Sequence, residues 1–186
     1  RAFSIVTEKR NMHGTRQRLE TDRPALLARY RNVRLATEDL AAPLSAEDQQ
    51  VQSMEDASPT KWHLAHVSWF FETFILIPFA KRYKPFDAAF GYLFNSYYEA
   101  VGPRHARPRR GMLTRPALSQ VMEYRAHVDK AMAGFIESAT DDQLGEALAR
   151  IELGLNHEQQ HQELVLMDIK HMFSCNPLNP AYSNAP

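Results

Sequence analysis

The stretch from Ser58 to Pro78 constrains the fold of this chain more than any other. Wound at 3.6 residues per turn, it places Trp62, His66, Trp69 and Phe70 on one side and Leu64, Phe71 and Ile75 on the other. A helix that is apolar nearly all the way round must be covered on both sides. Ser58 with Pro59 in the first turn marks its start. The run VSWFFETFILIPFA holds Glu72 and Pro78 and falls short of the roughly 20 apolar residues a bilayer span requires. The cover must therefore be protein, and no membrane partner is expected.

The rest of the sequence supplies that cover as further helices. Only seven glycines and few alternating runs argue for an all-α chain. One helix is expected from about Asp22 to Ala42, capped by Thr21 or Asp22 with Pro24 in its first turn, and a weaker helical piece follows in SAEDQQVQSM. Another is expected from about Arg115 to Ser138. A last one opens on the capping box TDDQ at Thr140 to Gln143 and runs to about Phe173. Between Lys81 and Leu113 lies a long connection rich in Pro, Arg and Tyr, and connections of that length inside a compact domain are usually functional. Four antiparallel helices with one long crossover make a four-helix bundle. The expected division is an extension over 1–20, the bundle over 21–175 and a linker over 176–186.

Charge and cysteine usage exclude some partners. Lys+Arg and Asp+Glu both number 22, for a formal net charge of +0, so no global basic field is available for nucleic acid. The N-terminus lacks an apolar secretory segment, and Met12 is a candidate natural start. The single cysteine, Cys175, forms no internal disulfide, which suits a reducing, cytoplasmic setting; it reads as an inert helix-end thiol.

Chemistry concentrates in HEQQH, His157 to His161. Histidines four apart sit one turn on from each other and can grip one metal ion. A zinc peptidase, with Glu158 activating water, would need a third ligand. The residues that follow, Gln162, Glu163 and Leu164, do not continue the metzincin pattern, and no glutamate occurs after Glu163. A ferritin-like di-iron site needs a second E-x-x-H pair, and none is present. A mononuclear site with a third ligand from another helix remains, and KWHLAH offers His63 and His66. On an ideal wheel His66 points inward while His63 lies nearer the edge. The Leu144, Leu148, Ile151 and Leu155 stripe is continued by Glu158 and Gln162, which puts His157 and His161 to one side of the bundle's axis. Glu152 and Glu158 are candidates to orient the histidines.

Three motifs, SPTKWHLAHVSWFFETF, FNSYYEAVGPRHARPRRG and LNHEQQHQEL, resemble in order the N-terminal half of the ergothioneine sulfoxide synthases (hercynine oxygenases), a DinB-like four-helix domain. The resemblance implies Fe(II) held by His66, His157 and His161. It implies O2-dependent joining of cysteine or γ-glutamylcysteine to hercynine with oxidation to a sulfoxide. It implies contact of Gln160 with hercynine, and carboxylate binding by Arg104 and Arg107 in the arginine-rich loop that also holds Arg109, Arg110 and Arg115. Members of that family carry a second, formylglycine-generating-enzyme-like domain that supplies a catalytic tyrosine. This chain stops where that domain would begin, so the partner, and the catalytic acid with it, is expected in cis or in trans. Three neutral imidazoles leave the full charge on the metal, which suits a thiolate substrate. A selenoneine synthase of the same family, a stand-alone DinB-like metal-dependent thiol transferase and a non-catalytic module in which the histidines merely stabilise the fold stay open as alternatives.

Overall fold

The computed structural model describes residues 7–183, with side chains from Arg23 onward except that of Glu99. Among them there are helices and loops but no strand. Residues 1–6 of the expected extension, the side chains of Met12, Thr21 and Asp22, and the tail beyond 183 lie outside the described part.

Four long helices form the frame. We label them α1 (Thr7–Ala41), α2 (Thr60–Phe71), α3 (Leu118–Ser138) and α4 (Asp141–Ser174). Each of α1 and α2 packs against both α3 and α4. The first helix begins well before Thr21, so Pro24 lies in its interior and not in its first turn, where it donates no bond to the helical ladder. Where SAEDQQVQSM was expected to be helical, only Asp48–Gln50 forms a 3-10 turn. The third helix starts at Leu118, three residues later than expected, after a cis Arg115–Pro116 peptide. At the head of α4 the expected capping box is formed: Thr140 Oγ1 accepts from the Gln143 amide at 3.2 Å, and Gln143 Oε1 accepts from the Thr140 amide at 3.1 Å.

Every residue of α2 is buried, as an all-round apolar helix requires. The helix does not continue regularly to Pro78. It passes through a π-helical turn at Glu72–Leu76 before a final α turn at Ile77–Phe79. Glu72 at the start of this turn accepts hydrogen bonds from the Tyr124 hydroxyl at 2.6 Å, the Tyr83 hydroxyl and the Phe86 amide. Its carboxylate thus ties α3 and the crossover to α2, and a buried polar group is kept satisfied. Around it the core is built from Trp69, Phe71, Ile75 and Leu76 of α2, Tyr124, Val128, Met132 and Ile136 of α3, and Leu144, Ile151 and Leu155 of α4.

Two details decide how closely α2 and α4 approach. A Cβ on Gly154 would lie 2.7 Å from Phe71 Cε1 and 3.1 Å from Phe70 Cε1, so only glycine lets these aromatic rings press onto α4. Nearby, a buried charge network joins all four helices. Glu158 of α4 accepts from Arg34 Nη1 at 2.9 Å, Thr37 Oγ1 at 2.8 Å and Arg125 Nη2 at 3.3 Å. Arg34 also donates to Asp129 and to Ser68 Oγ of α2, and Arg125 to Glu38 and the Leu64 carbonyl. Burial disfavours the Arg34 charge, but Glu158, Tyr30 and Asp129 outweigh it and hold its pKa well above the usual value.

No described helix is long and apolar enough to cross a membrane.

Candidate metal centre

Helices α2 and α4 lie side by side, and the Gly154 contact sets their spacing one turn before HEQQH begins. His66 therefore meets His157 and His161. The three rings have centroid separations of 5.0 Å (66 to 157), 4.7 Å (66 to 161) and 4.5 Å (157 to 161). One ligating nitrogen from each lies within 4.8 Å of the others, a grouping able to hold a metal ion. His66 Nε2 and His157 Nε2 are 3.2 Å apart. Two nitrogens bound at about 2.1 Å in tetrahedral or octahedral geometry would be roughly 3.0–3.4 Å apart, so this pair fits a shared ion.

The surroundings fix which nitrogens are bare. His66 Nδ1 donates to the Phe94 carbonyl at 2.6 Å, leaving Nε2 with its lone pair. The ring is clamped in a stack along α2: Trp62 lies at 4.5 Å and 13° on one face, Trp69 at 5.4 Å and 16° on the other. His63 donates from Nε2 to Asp168 Oδ2 at 3.0 Å. Burial pushes the His63 pKa below its usual value, so the ring is neutral with a single N–H, and its Nδ1 must accept. The atom facing that nitrogen at 2.7 Å is His161 Nδ1. His161 therefore carries its proton on Nδ1 and presents a bare Nε2 toward the cluster.

Burial also pushes the His66 pKa well down and that of His157 to about 4; His161 is lowered strongly by burial and by the neighbouring histidines. All three rings are thus neutral near pH 7, the form that binds metals. His157 Nδ1 is buried and has no hydrogen-bond partner.

The rings face a hollow of about 440 Å³ lined by Trp62, Ser96, Tyr97, Tyr98, Arg107, Arg110, Gln160 and Leu164 in addition to the histidines. A larger open hollow of about 700 Å³, among Phe79, Lys84, His127 and Phe135, adjoins none of these ligating rings. The crossover is fastened beneath the site. Gln52 Nε2 donates to the Arg107 carbonyl at 2.8 Å, Gln52 Oε1 accepts from the Gly111 amide at 2.7 Å, and Lys61 Nζ donates to the Leu113 and Pro116 carbonyls. This staple turns Arg107 and Arg110 toward the hollow.

The expected site residues fall as follows. His66, His157 and His161 come together; Gln160 stands exposed at the rim of the same hollow, and Arg107 lines it while donating to the Tyr97 hydroxyl at 2.5 Å. Arg104 is not among the residues lining the hollow; it lies over the Tyr97 ring at 5.6 Å. Arg110, singled out by nothing in the spacing, is the buried arginine of the site. It lies 3.4 Å over the Trp62 ring and donates to Ser58 Oγ at 2.9 Å and Ser96 Oγ at 3.1 Å, with Nε unpartnered. No carboxylate pairs with its guanidinium in these bonds, and burial together with Arg107 pushes its pKa down to about 9. The expected orienting roles of Glu152 and Glu158 are not found. Glu152 pairs with Arg29 on the surface, and Glu158 is consumed by the arginine network. The Phe94 carbonyl and His63 do the orienting. His63 lies buried and not at the edge of α2. The fate of Glu158 also removes the peptidase reading, which needs that carboxylate beside the metal.

Compared with profiles of known families, the chain matches that of the DinB superfamily over residues 29–165. No curated protein matches it.

Proposed function

We propose that this chain, which belongs to the DinB superfamily, is the metal-bearing domain of an O2-dependent sulfoxide synthase that joins a cysteine-type thiol to hercynine. The observation that carries the reading is a ligand set of three neutral imidazoles with no carboxylate, facing a hollow whose buried cation, Arg110, is hydrogen-bonded to two serine hydroxyls and to no carboxylate among the described residues. A ferrous ion held by His66, His157 and His161 would supply one-electron chemistry toward O2 and a cationic seat for a thiolate.

The chain's own residues would do the remaining work. Arg110 and Arg107 present guanidinium groups to substrate carboxylates, which they can grip in a fork. Gln160, one turn from His157 on the hollow side of α4, can orient an imidazole ring through its amide. Trp62 and Trp69 hold His66 flat, so the nitrogen it aims at the ion does not swing. The hollow is open along Tyr97 and Gln160, both exposed, and α4 also carries the exposed apolar side chains Leu153 and Met167. A formylglycine-generating-enzyme-like domain, in cis or in trans, would close that side, exclude water and bring the catalytic acid.

A stand-alone thiol transferase is the second reading, supported by the family match and by three histidines that suit zinc as well as iron. Metal analysis after anaerobic purification, followed by oxygen uptake with hercynine and cysteine in the presence of the covering domain, separates the two. One iron per chain, lost alike in His66→Ala, His157→Ala and His161→Ala, with thiol-dependent oxygen uptake, is the expected result. Metal retained in His66→Ala, or thiol transfer with no oxygen consumed, would displace the proposal.

A further inference from the structure

We infer that Asp168 and His63 form a buried relay that makes His161 the strongest of the three metal ligands. The inference rests on the metal reading above, but not on which reaction follows.

The chain of contacts runs in one direction. Asp168 Oδ2 accepts from the Ser58 amide at 2.9 Å and from His63 Nε2 at 3.0 Å, and His63 Nδ1 accepts from His161 Nδ1 at 2.7 Å. Relative exposures are 7% for Asp168, 3% for His63 and 8% for His161, so little water competes for these bonds. A carboxylate can only accept, which fixes the His63 proton on Nε2. The His161 proton is then fixed on Nδ1, and its Nε2 is left with the lone pair that would hold a metal. Negative charge at Asp168 is passed through two polarised N–H bonds and raises the electron density on His161 Nε2, as a carboxylate behind a ligating imidazole does.

The other two ligands lack this support. His66 leans on a neutral carbonyl, and His157 Nδ1 on nothing. The set is therefore graded, with His161 the firmest nitrogen and His157 the one most readily given up. His63 and Asp168 are positioning residues in this scheme, since neither touches the ion.

Cobalt(II) titration of the full chain, followed through its visible ligand-field bands, tests the relay without any turnover. Asp168→Asn keeps an oxygen for both hydrogen bonds and removes only the charge; it is expected to weaken cobalt binding roughly 10-fold. His63→Phe fills the same space with no acceptor and should approach roughly 100-fold, the range found for such supporting groups. Because the two act in series, the double variant should lose no more than His63→Phe alone, whereas independent packing effects would add. Affinity within twofold of the parent in both single variants, or additive losses in the double, would overturn the relay. Failure of the parent chain to bind cobalt at all would instead overturn the metal reading and the relay with it. Thermal unfolding of the metal-free variants distinguishes a packing role, which would lower stability and leave the affinity and spectrum of the folded fraction unchanged.

Discussion

Adjacent residues on α4 meet opposite environments. Glu158 turns into the bundle, where every charge has an opposite: two arginines, a threonine hydroxyl and, beyond them, Asp129 and Glu38. His157, one residue earlier, and His161, three residues later, turn toward the hollow, where imidazoles face one another and Arg110 bonds only to hydroxyls. The first region is complete without any ligand. The second is a cluster of imidazoles able to hold a metal ion, beside a buried guanidinium with no hydrogen-bonded acid. Buried polar groups with internal partners read as architecture, and those without read as a binding site.

The largest effect that can break this contrast is expected from Glu158→Ala. It leaves Arg34 and Arg125 buried with reduced compensation, and removing one partner of such a network typically costs about 3–5 kcal/mol. Urea unfolding of the metal-free protein measures it, and a loss under about 1 kcal/mol would mean the network is far wetter than its burial implies.

Acid should act on the other region. The folded state favours neutral imidazoles, with burial holding His157 at about 4, while an unfolded histidine titrates near pH 6.5. Below that pH the unfolded chain binds more protons, so stability is full above about pH 6.5 and falls as pH drops toward 4. His157 alone would contribute a loss on the order of 3 kcal/mol, with His66 and His161 lowered in the same direction. Unfolding of the metal-free chain at pH 7.5, 5.5 and 4.5 follows it. A flat profile across that window would contradict the charge-free reading of the cluster.

A third, smaller effect concerns the contact on which both regions depend. Gly154→Ala pushes a methyl group against Phe71 and Phe70, and overpacking of this kind costs about 1–3 kcal/mol. Because it separates α2 from α4, cobalt affinity should fall along with stability. Unchanged affinity in a destabilised protein would show that the histidine geometry is held by the relay and the tryptophan stack alone.

How much of this was legible in the sequence follows from what each feature depends on. The four long helices, the capping box at Thr140 and the burial of α2 are local or periodic signals and all are present, although α1 starts earlier, α3 starts later and α2 gives way to a π turn sooner than the pattern placed them. So is the inward turn of Glu158, readable from helical phase; the convergence of His66 with HEQQH, 91 residues away, was implied by the family resemblance and not by phase. What was not legible depends on partners distant in sequence. His63 looked peripheral because its phase on α2 alone does not reveal Asp168, 105 residues away. Asp168 carried no motif at all. Arg110 could not be told from Arg104 within an arginine-rich loop, because the staple through Gln52 and Lys61 decides which guanidinium turns inward. The π turn at Glu72 arises from tyrosines supplied by α3 and the crossover, and no local propensity announces it.

The smallest effect expected separates the regions most sharply. Arg110→Met keeps an unbranched side chain over Trp62 and removes a buried charge that is hydrogen-bonded to no acid and feels Asp168 only through space. In the ligand-free protein this should change stability by less than about 1 kcal/mol in either direction, because the lost hydroxyl bonds are offset by relief of desolvation. Arg125→Met, by the same measurement, should cost about 3–5 kcal/mol, since it leaves Glu158 and Glu38 short of a cation. The two arginines are about equally buried, at 3% and 0% exposure, so burial alone predicts similar losses and pairing predicts the split. Equal losses would make Arg110 one more strut of the bundle. A near-neutral Arg110→Met that binds a carboxylate-bearing thiol at least tenfold more weakly would place its guanidinium where the substrate's anion goes, at about 1.4 kcal/mol or more of binding.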